Sequence, residues 1–417
     1  MRKSLICSAA AVALLAAACS SSSKSTTTTT KAAGGGAAPT TAAANQPPFD
    51  IVAVLSTGQQ GAGGEQAKTA LAGLQAGVAV VNQNGGILGR QVKLEVLDDA
   101  GNPTTGSGLL QQRLQSSPKP DAIIPGSIST EGVAYVPLAN AAGILSIGTP
   151  SALALTDPTK YPYNFSMPPS QVAIADQMFQ YVKQNGGKKV AVISSQDAFG
   201  SAWATAAKAA STKEGIPGDF ETYADTDLDV TPTLQKLQAT NPDFLLMQGF
   251  GAPVGVVLNS KVKLGWKIPT LCESTCGVTP LVVTTLIGTP QEQDFKMQVP
   301  LIDIYKAPAD RSSALNNYLT ALKAAIGGPI TGIQNQYSFE FDAVTVLAQA
   351  AKQANAVTTP EMTKAMENLQ QPSSPAWVTL GEYHWSSTSH AATGSGSDYP
   401  MVVPTKLVDG QVGAPGA

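Results

Sequence analysis

The chain has 417 residues, of which 43% are hydrophobic and 13% charged, well below the ~25% charged share of an average soluble domain. Its 26 basic and 29 acidic residues leave a net charge of −3 without a Lys/Arg cluster, which excludes a nucleic-acid partner bound through the usual basic surface. The only two histidines, His384 and His390, lie in a Ser/Thr-rich stretch, so a histidine metal site or a Ser-His-Asp triad is poorly supplied.

The first readable segment is residues 1–18. Arg2 and Lys3 give a positive start, Leu5 to Ala18 is mostly apolar, and Ala16, Ala17 and Ala18 precede Cys19. That is the layout of a secretory signal peptide, and the apolar run falls short of the ~20 residues that a membrane span takes. "LAAAC" resembles the lipobox of bacterial lipoproteins, with Ala16 at the place where that family usually carries Leu and Leu15 one position further back. The resemblance implies that Cys19 becomes the lipid-bearing first residue. The plainer alternative is an ordinary cleavage near Cys19 with the cysteine incidental. Residues 19–48 are dominated by Ser, Thr, Ala and Gly without periodicity, so they cannot offset the entropy of folding and read as a flexible tether. Nothing else is long and apolar enough to cross a bilayer. The expected location is therefore the extracytoplasmic face of the cell membrane, held by a lipid anchor.

From Phe49 the pattern alternates. "IVAVL" reads as a strand, and the stretch after it, ending at Gly85-Gly86, as a helix. "VKLEVLDD" is a strand, "TGSGLLQQRLQS" a helix and "DAIIPG" a strand. "STEGVAYVPLANAAG" is a helix with Ser129 or Thr130 at its N-cap, and "ILSIG" is again a strand. The plan restarts after "YNFSMPPSQ". The helix "QVAIADQMFQYVKQNGG" leads to the strand "KKVAVISS", a helix from Ala202 to Glu214, a strand at Phe220–Tyr223 and the helix "TPTLQKLQAT". The strand "DFLLMQG", a helix at Val254–Leu264 and a strand near Ile268–Leu271 follow. "DFKMQVPLI" is strand-like, and three helices, "SSALNNYLTALKAAIG", "EFDAVTVLAQAAKQA" and "PEMTKAMENL", precede β-like pieces from Val378 onward. Strands alternating with helices imply parallel βαβ units. Two open α/β sheets suggest a cleft beyond the carboxyl ends of their strands.

Four cysteines are present. Cys7 would leave with the signal and Cys19 would carry lipid. Cys272 and Cys276 in "LCESTCG" read first as a disulfide, given an oxidising compartment. Zinc lacks a second ligand pair, and a redox pair would want Cys-x-x-Cys spacing.

Several stretches together resemble the type I periplasmic binding proteins of the leucine/isoleucine/valine group, in lipoprotein form. They are "NQNGGILGRQVKLEVLDDAGNP", "ANAAGILSIGTPSALALTDP", "DAFGSA", "NPDFLLMQGFGAPVGVVLNSKVKLG" and "EFDAVTVLAQAAKQA", spread over Phe49 to about Val403. The resemblance implies an α/β fold of two open parallel-sheet lobes, joined by a three-crossing hinge with a ligand cleft between. Lobe one would be 49–167 plus 301–376 and lobe two 168–300 plus 377–417. The crossings would fall near Ser166–Pro169, Val299–Leu301 and Val378–Tyr383. It further implies a monomeric, non-enzymatic binder without cofactor or metal, which hands a small molecule to an ABC transporter permease. The ligand class it points to is a branched-chain or other apolar amino acid, with an amide, urea or an aromatic acid as alternatives.

By motif position the ligand carboxylate falls to Ser129, with Thr130 beside it, and to Ser151, while a backbone carbonyl near Thr149 would take the ammonium. Hydroxyls and helix N–H groups suit an anion without a full counter-charge. Ser129 could equally be a plain helix cap and Ser151 a turn residue. Phe199 and Phe250 stand at the family's aromatic positions, though either ring could belong to a core. The ammonium-binding carboxylate would be Glu273, with Ser274 one place off as the alternative. The loop "STGQQGAGGEQ" would close over the ligand, with Gly63 where many relatives carry an aromatic.

Two rivals are weaker. "GAGGEQ" after a strand suggests a dinucleotide site, but the third glycine of that spacing falls on Gln66. No nucleophile–base pair stands out for a hydrolase. A ligand-sensing module for a receptor shares the fold and stays open beside the transport role.

Overall fold

Phe49–Leu55 (β1) is buried at every position, because its apolar run Ile51–Leu55 sits in a parallel sheet covered on both faces. It pairs in parallel with Val92–Asp98 (β2) on one side and Ala122–Ile124 (β3) on the other. Leu145–Gly148 (β4), Asn164–Pro169 (β5) and Ala391–Ala392 (β11) extend the sheet in the order β2-β1-β3-β4-β5-β11. The computed structural model describes residues 46–249, 251–278, 294–372, 376–393 and 398–415. The expected signal segment, Cys19, most of the tether and Phe250 lie outside the described residues.

The second sheet repeats the plan. Val190–Ser195 (β6) lies between Gly218–Tyr223 (β7) and Phe244–Met247 (β8), followed by Thr270–Cys272 (β9) and Phe295–Gln298 (β10), all parallel. Met401–Val402 (β12) closes the edge antiparallel to β10. This is the expected α/β architecture of two open sheets.

Helices Ala62–Gln83 (α1), Pro103–Gln115 (α2) and Ser129–Ala141 (α3) cross over in the first sheet. Gln171–Gln184 (α4) leads from β5 of the first sheet to β6 of the second, where Ala198–Glu214 (α5), Thr231–Gln238 (α6) and Ala252–Lys263 (α7) cross over. Their starts follow local chemistry. Asn102 caps α2 by accepting the amides of Thr104 and Thr105 at 2.9 and 3.2 Å, with Pro103 in the first turn. Asp197 caps α5 through the Gly200 amide at 2.6 Å. The helices Ser313–Ile326, Gln334–Ala354 and Thr359–Glu367 then return to the first sheet. Val344, Leu347 and Ala351 of the middle one join Phe49, Ile51 and Leu55 in one core. Its backbone approaches α1 so closely that a Cβ on Gly73 would stand 2.1 Å from the Tyr337 carbonyl oxygen, and one on Gly77 2.9 Å from that of Phe341.

Two expectations are corrected. The cap position of α3 is Ile128, whose side chain has no acceptor, and Ser129 is already inside the helix. The Glu131 carboxylate reaches back to the amides of Ser127 and Ile128, at 2.6 and 3.4 Å, in place of a capping hydroxyl. The second correction concerns the third crossing, expected near Val378–Tyr383. Trp377, Leu380, Tyr383 and Trp385 are buried in the core of the first sheet. Asp342 accepts the amides of Val378 and Thr379 at 2.8 Å each and the Tyr383 hydroxyl at 2.7 Å. Ala391 then pairs with Ser166. Residues 377–392 therefore belong to the first body, and the chain reaches the second sheet only at Met401, because four large apolar side chains find their burial on the first.

Candidate functional site

A cavity of about 80 Å³ opens where the strand ends of both sheets meet. From the first body come Ser127, Ile128 and Ser129 after β3, Thr149 and Ser151 after β4, Gln66 on α1, and Asn335 and Phe339 on the helix Gln334–Ala354. Pro168 ends β5. From the second body come Gln171 and Ile174 on α4, Phe199 on the first turn of α5, and Ser274 and Thr275 after β9. Among the described residues, no lysine, arginine or histidine lines it.

Ser129 is 3% exposed, and its hydroxyl oxygen accepts the amides of Ser151 and Ala152 at 3.1 Å each. With both lone pairs engaged, its proton is what it has left to offer. Ser129 thus ties the α3 terminus to the turn after β4 and presents a donor beside the free N–H groups of that helix end. Gln171 Nε2 lies 3.4 Å from the Ser151 hydroxyl, linking the second body to this turn. Thr149 donates its amide and hydroxyl to Glu340 Oε1, at 3.3 and 2.9 Å.

Behind these walls stand buried acids. Glu340 is sealed from water, and desolvation pushes its carboxyl up to about 8. Glu131, buried beneath Ser127, is also raised by desolvation, against hydrogen bonds from Ser56 and the Ser127 amide. Glu273 is fully buried, and desolvation raises it to about 7 although the Thr275 amide (3.1 Å), the Thr275 hydroxyl and the Ser274 hydroxyl (3.2 Å) donate to it. A disulfide between Cys272 and Cys276 closes the turn that carries Glu273, Ser274 and Thr275.

Of the site residues expected from sequence, the structure brings Ser129, Thr149, Ser151 and Phe199 to one cavity. Thr130 is exposed on α3 and does not line it. Glu273 lies one layer behind the wall, which Ser274 and Thr275 form instead. Phe250 lies outside the described residues. Gln66, Gln171, Asn335 and Phe339 were not legible in the sequence as site residues. Gln66 sits at the end of the glycine-rich loop already marked as facing the cleft, which was its one signal; the other three sit at or near helix starts without a motif.

A family model described as periplasmic binding protein matches residues 51–396. A curated relative, the Leu/Ile/Val-binding protein homolog 3 of Brucella melitensis, is 32% identical over 207 residues, 48% of this chain and 54% of that protein. The chain thus spans about half the length of the curated relative it matches. Among solved structures, an extracellular ligand-binding receptor from Rhodopseudomonas palustris HaA2 superposes with a TM-score of 0.70 at 21% identity, covering 88% of this chain and 99% of that one. The substrate binding protein of a Streptococcus pneumoniae branched-chain amino acid transporter, in complex with isoleucine, gives 0.66 at 17% identity, over 88% and 98%.

Proposed function

The chain belongs to the periplasmic binding protein family, and on that premise we propose that it captures a free α-amino acid outside the cytoplasm and passes it to the permease of an ABC importer. Cys19 is its lipid anchor in this reading. The observation that carries it is Ser129: a buried hydroxyl left with only a proton to give, in a cavity that no cationic side chain lines among the described residues. A carboxylate meets hydroxyl and helix-terminal N–H donors there. The ammonium faces the Ser274–Thr275 wall, whose backing carboxylate is Glu273. The name of the Brucella melitensis relative makes leucine, isoleucine and valine the first compounds to test.

Two measurements test the proposal. Titration calorimetry on the purified protein with the free amino acids should give saturable 1:1 binding to at least one; heat from none of them rejects an amino-acid ligand. Fractionation of cells carrying Cys19→Ala should move the protein from membranes to the soluble exported fraction. Unchanged membrane retention rejects the anchor.

A further inference from the structure

Among the described residues three amide side chains line the cavity, Gln66, Gln171 and Asn335, and each has a buried polar atom without a partner there. They are 5%, 1% and 5% exposed, and Gln66 Oε1, Gln171 Oε1 and Asn335 Oδ1 make no hydrogen bond within the protein. Elsewhere Gln171 Nε2 lies 3.4 Å from the Ser151 hydroxyl, and Asn335 Nδ2 donates to the Ser274 carbonyl at 3.0 Å. In Gln171 and Asn335 the nitrogen is thus engaged and the oxygen is left without a partner, in residues that line the cavity. Turning Gln66 or Gln171 over exchanges an unpartnered acceptor for an unpartnered donor, whereas Asn335 is fixed by its donation to the Ser274 carbonyl and offers an acceptor.

We propose that the cavity selects a ligand whose side chain ends in a carboxamide or ureido group, with Gln66, Gln171 and Asn335 as its specificity-determining residues. This rests on the reading that the site holds a free amino acid. A purely aliphatic side chain would seal these amides from water and give them nothing, and buried polar groups without partners are strongly disfavoured. A carboxamide or ureido group carries N–H donors beside a C=O acceptor, so it can meet the amides in either orientation. Phe199 and Phe339 supply apolar contact for the flat group between its polar edges. A site built to hydrogen-bond a ligand rejects the analogue that lacks those groups far more strongly than an apolar pocket rejects an extra methylene.

The test is titration calorimetry of the full chain against asparagine, glutamine and citrulline on one side and leucine, isoleucine and valine on the other. At least one of the first three should bind tenfold or more tighter than any of the second three, by order of magnitude. Gln66→Leu and, separately, Asn335→Leu should narrow that preference without changing the thermal unfolding midpoint by more than a few degrees. The wild-type panel stands even where a variant does not fold. Branched-chain compounds binding as tightly as the amides, or an amide preference untouched in both folded variants, overturns the selectivity and leaves the amino-acid reading intact. Binding of none of the six overturns the selectivity, and the amino-acid reading falls with it only if the full set of free amino acids also gives no heat.

Discussion

Ser129 has one task in the structure and a second in the proposed binding mode, and its substitution separates them. Its oxygen organises the Ser151–Ala152 turn, and in the proposed mode its proton is the donor for a ligand carboxylate. A hydrogen bond to a charged group contributes about 1.5–3 kcal/mol, so Ser129→Ala should raise Kd for the bound amino acid roughly 10- to 100-fold. Ser129→Cys, which keeps a weaker donor, should fall between. Calorimetry that finds Ser129→Ala within about twofold of wild type places the carboxylate elsewhere. Glu273 makes the complementary prediction at the ammonium end. Desolvation holds its carboxyl up to about 7 in the free protein, whereas an adjacent ammonium favours the ionised form. Ligand binding then releases a proton, so affinity should rise as pH increases toward 7 and level off above it. Glu273→Gln should flatten that profile between pH 5.5 and 8, and a Kd independent of pH in the wild type would remove Glu273 from ammonium recognition.

Elements reach this site through close backbone approach as much as through side-chain packing. Gly73 lets α1 lie against the helix Gln334–Ala354, where any Cβ would collide with the Tyr337 carbonyl. These two helices carry Gln66, Asn335 and Phe339. Because the obstacle is backbone and not a flexible side-chain end, Gly73→Val should force the helices apart. Overpacking of this kind costs about 1–3 kcal/mol. The unfolding midpoint should fall by several degrees and ligand affinity with it, and a variant as stable as wild type would mean the helices slide without loss. How far such arrangements can be read in advance differs by element. The strand and helix alternation was legible, because β1 and β6 hold short apolar runs, Ile51–Leu55 and Val190–Ile193, and α1, α4 and α5 end at Asn84, Asn185 and Gly215. Ser129, Thr149, Ser151 and Phe199 were legible because they follow strand ends in quotable motifs. The course of residues 377–392 was not, since Trp377, Tyr383 and Trp385 have no periodicity and are fixed by Asp342 and Ser166 from distant sequence. Nor were Gln66 and Asn335, because a Gln or Asn at a helix start reads as a solvated residue until a second body covers it.

At the scale of the whole molecule, the cavity is a joint property of two bodies. Ser129 and Ser151 stand on the first, Phe199, Ser274 and Thr275 on the second, and the Gln171–Ser151 contact spans them. The covalent links between the bodies are few. The chain passes from β5 into α4 at Pro169–Gln171, returns after β10 near Pro300, and passes once more between Ala392 and Met401. Links of this kind permit hinge motion, since only a few residues need change their dihedral angles. A ligand that touches both bodies binds the closed arrangement better than the open one, and it can shift the balance only by that difference. Moving a 1:99 mixture to 99:1 takes about 10⁴-fold differential affinity, which the carboxylate and ammonium contacts of the proposed binding mode would supply only while both walls are in place. Small-angle scattering should therefore show the radius of gyration falling when the wild-type protein is saturated with whichever amino acid calorimetry identifies. Ser129→Ala, at a ligand concentration raised to the same occupancy, should show a smaller fraction closed, because the first body then contributes less to the difference. Full occupancy without any change in the scattering curve would mean that both walls are already in the binding geometry before the ligand arrives, and that closure is not coupled to capture.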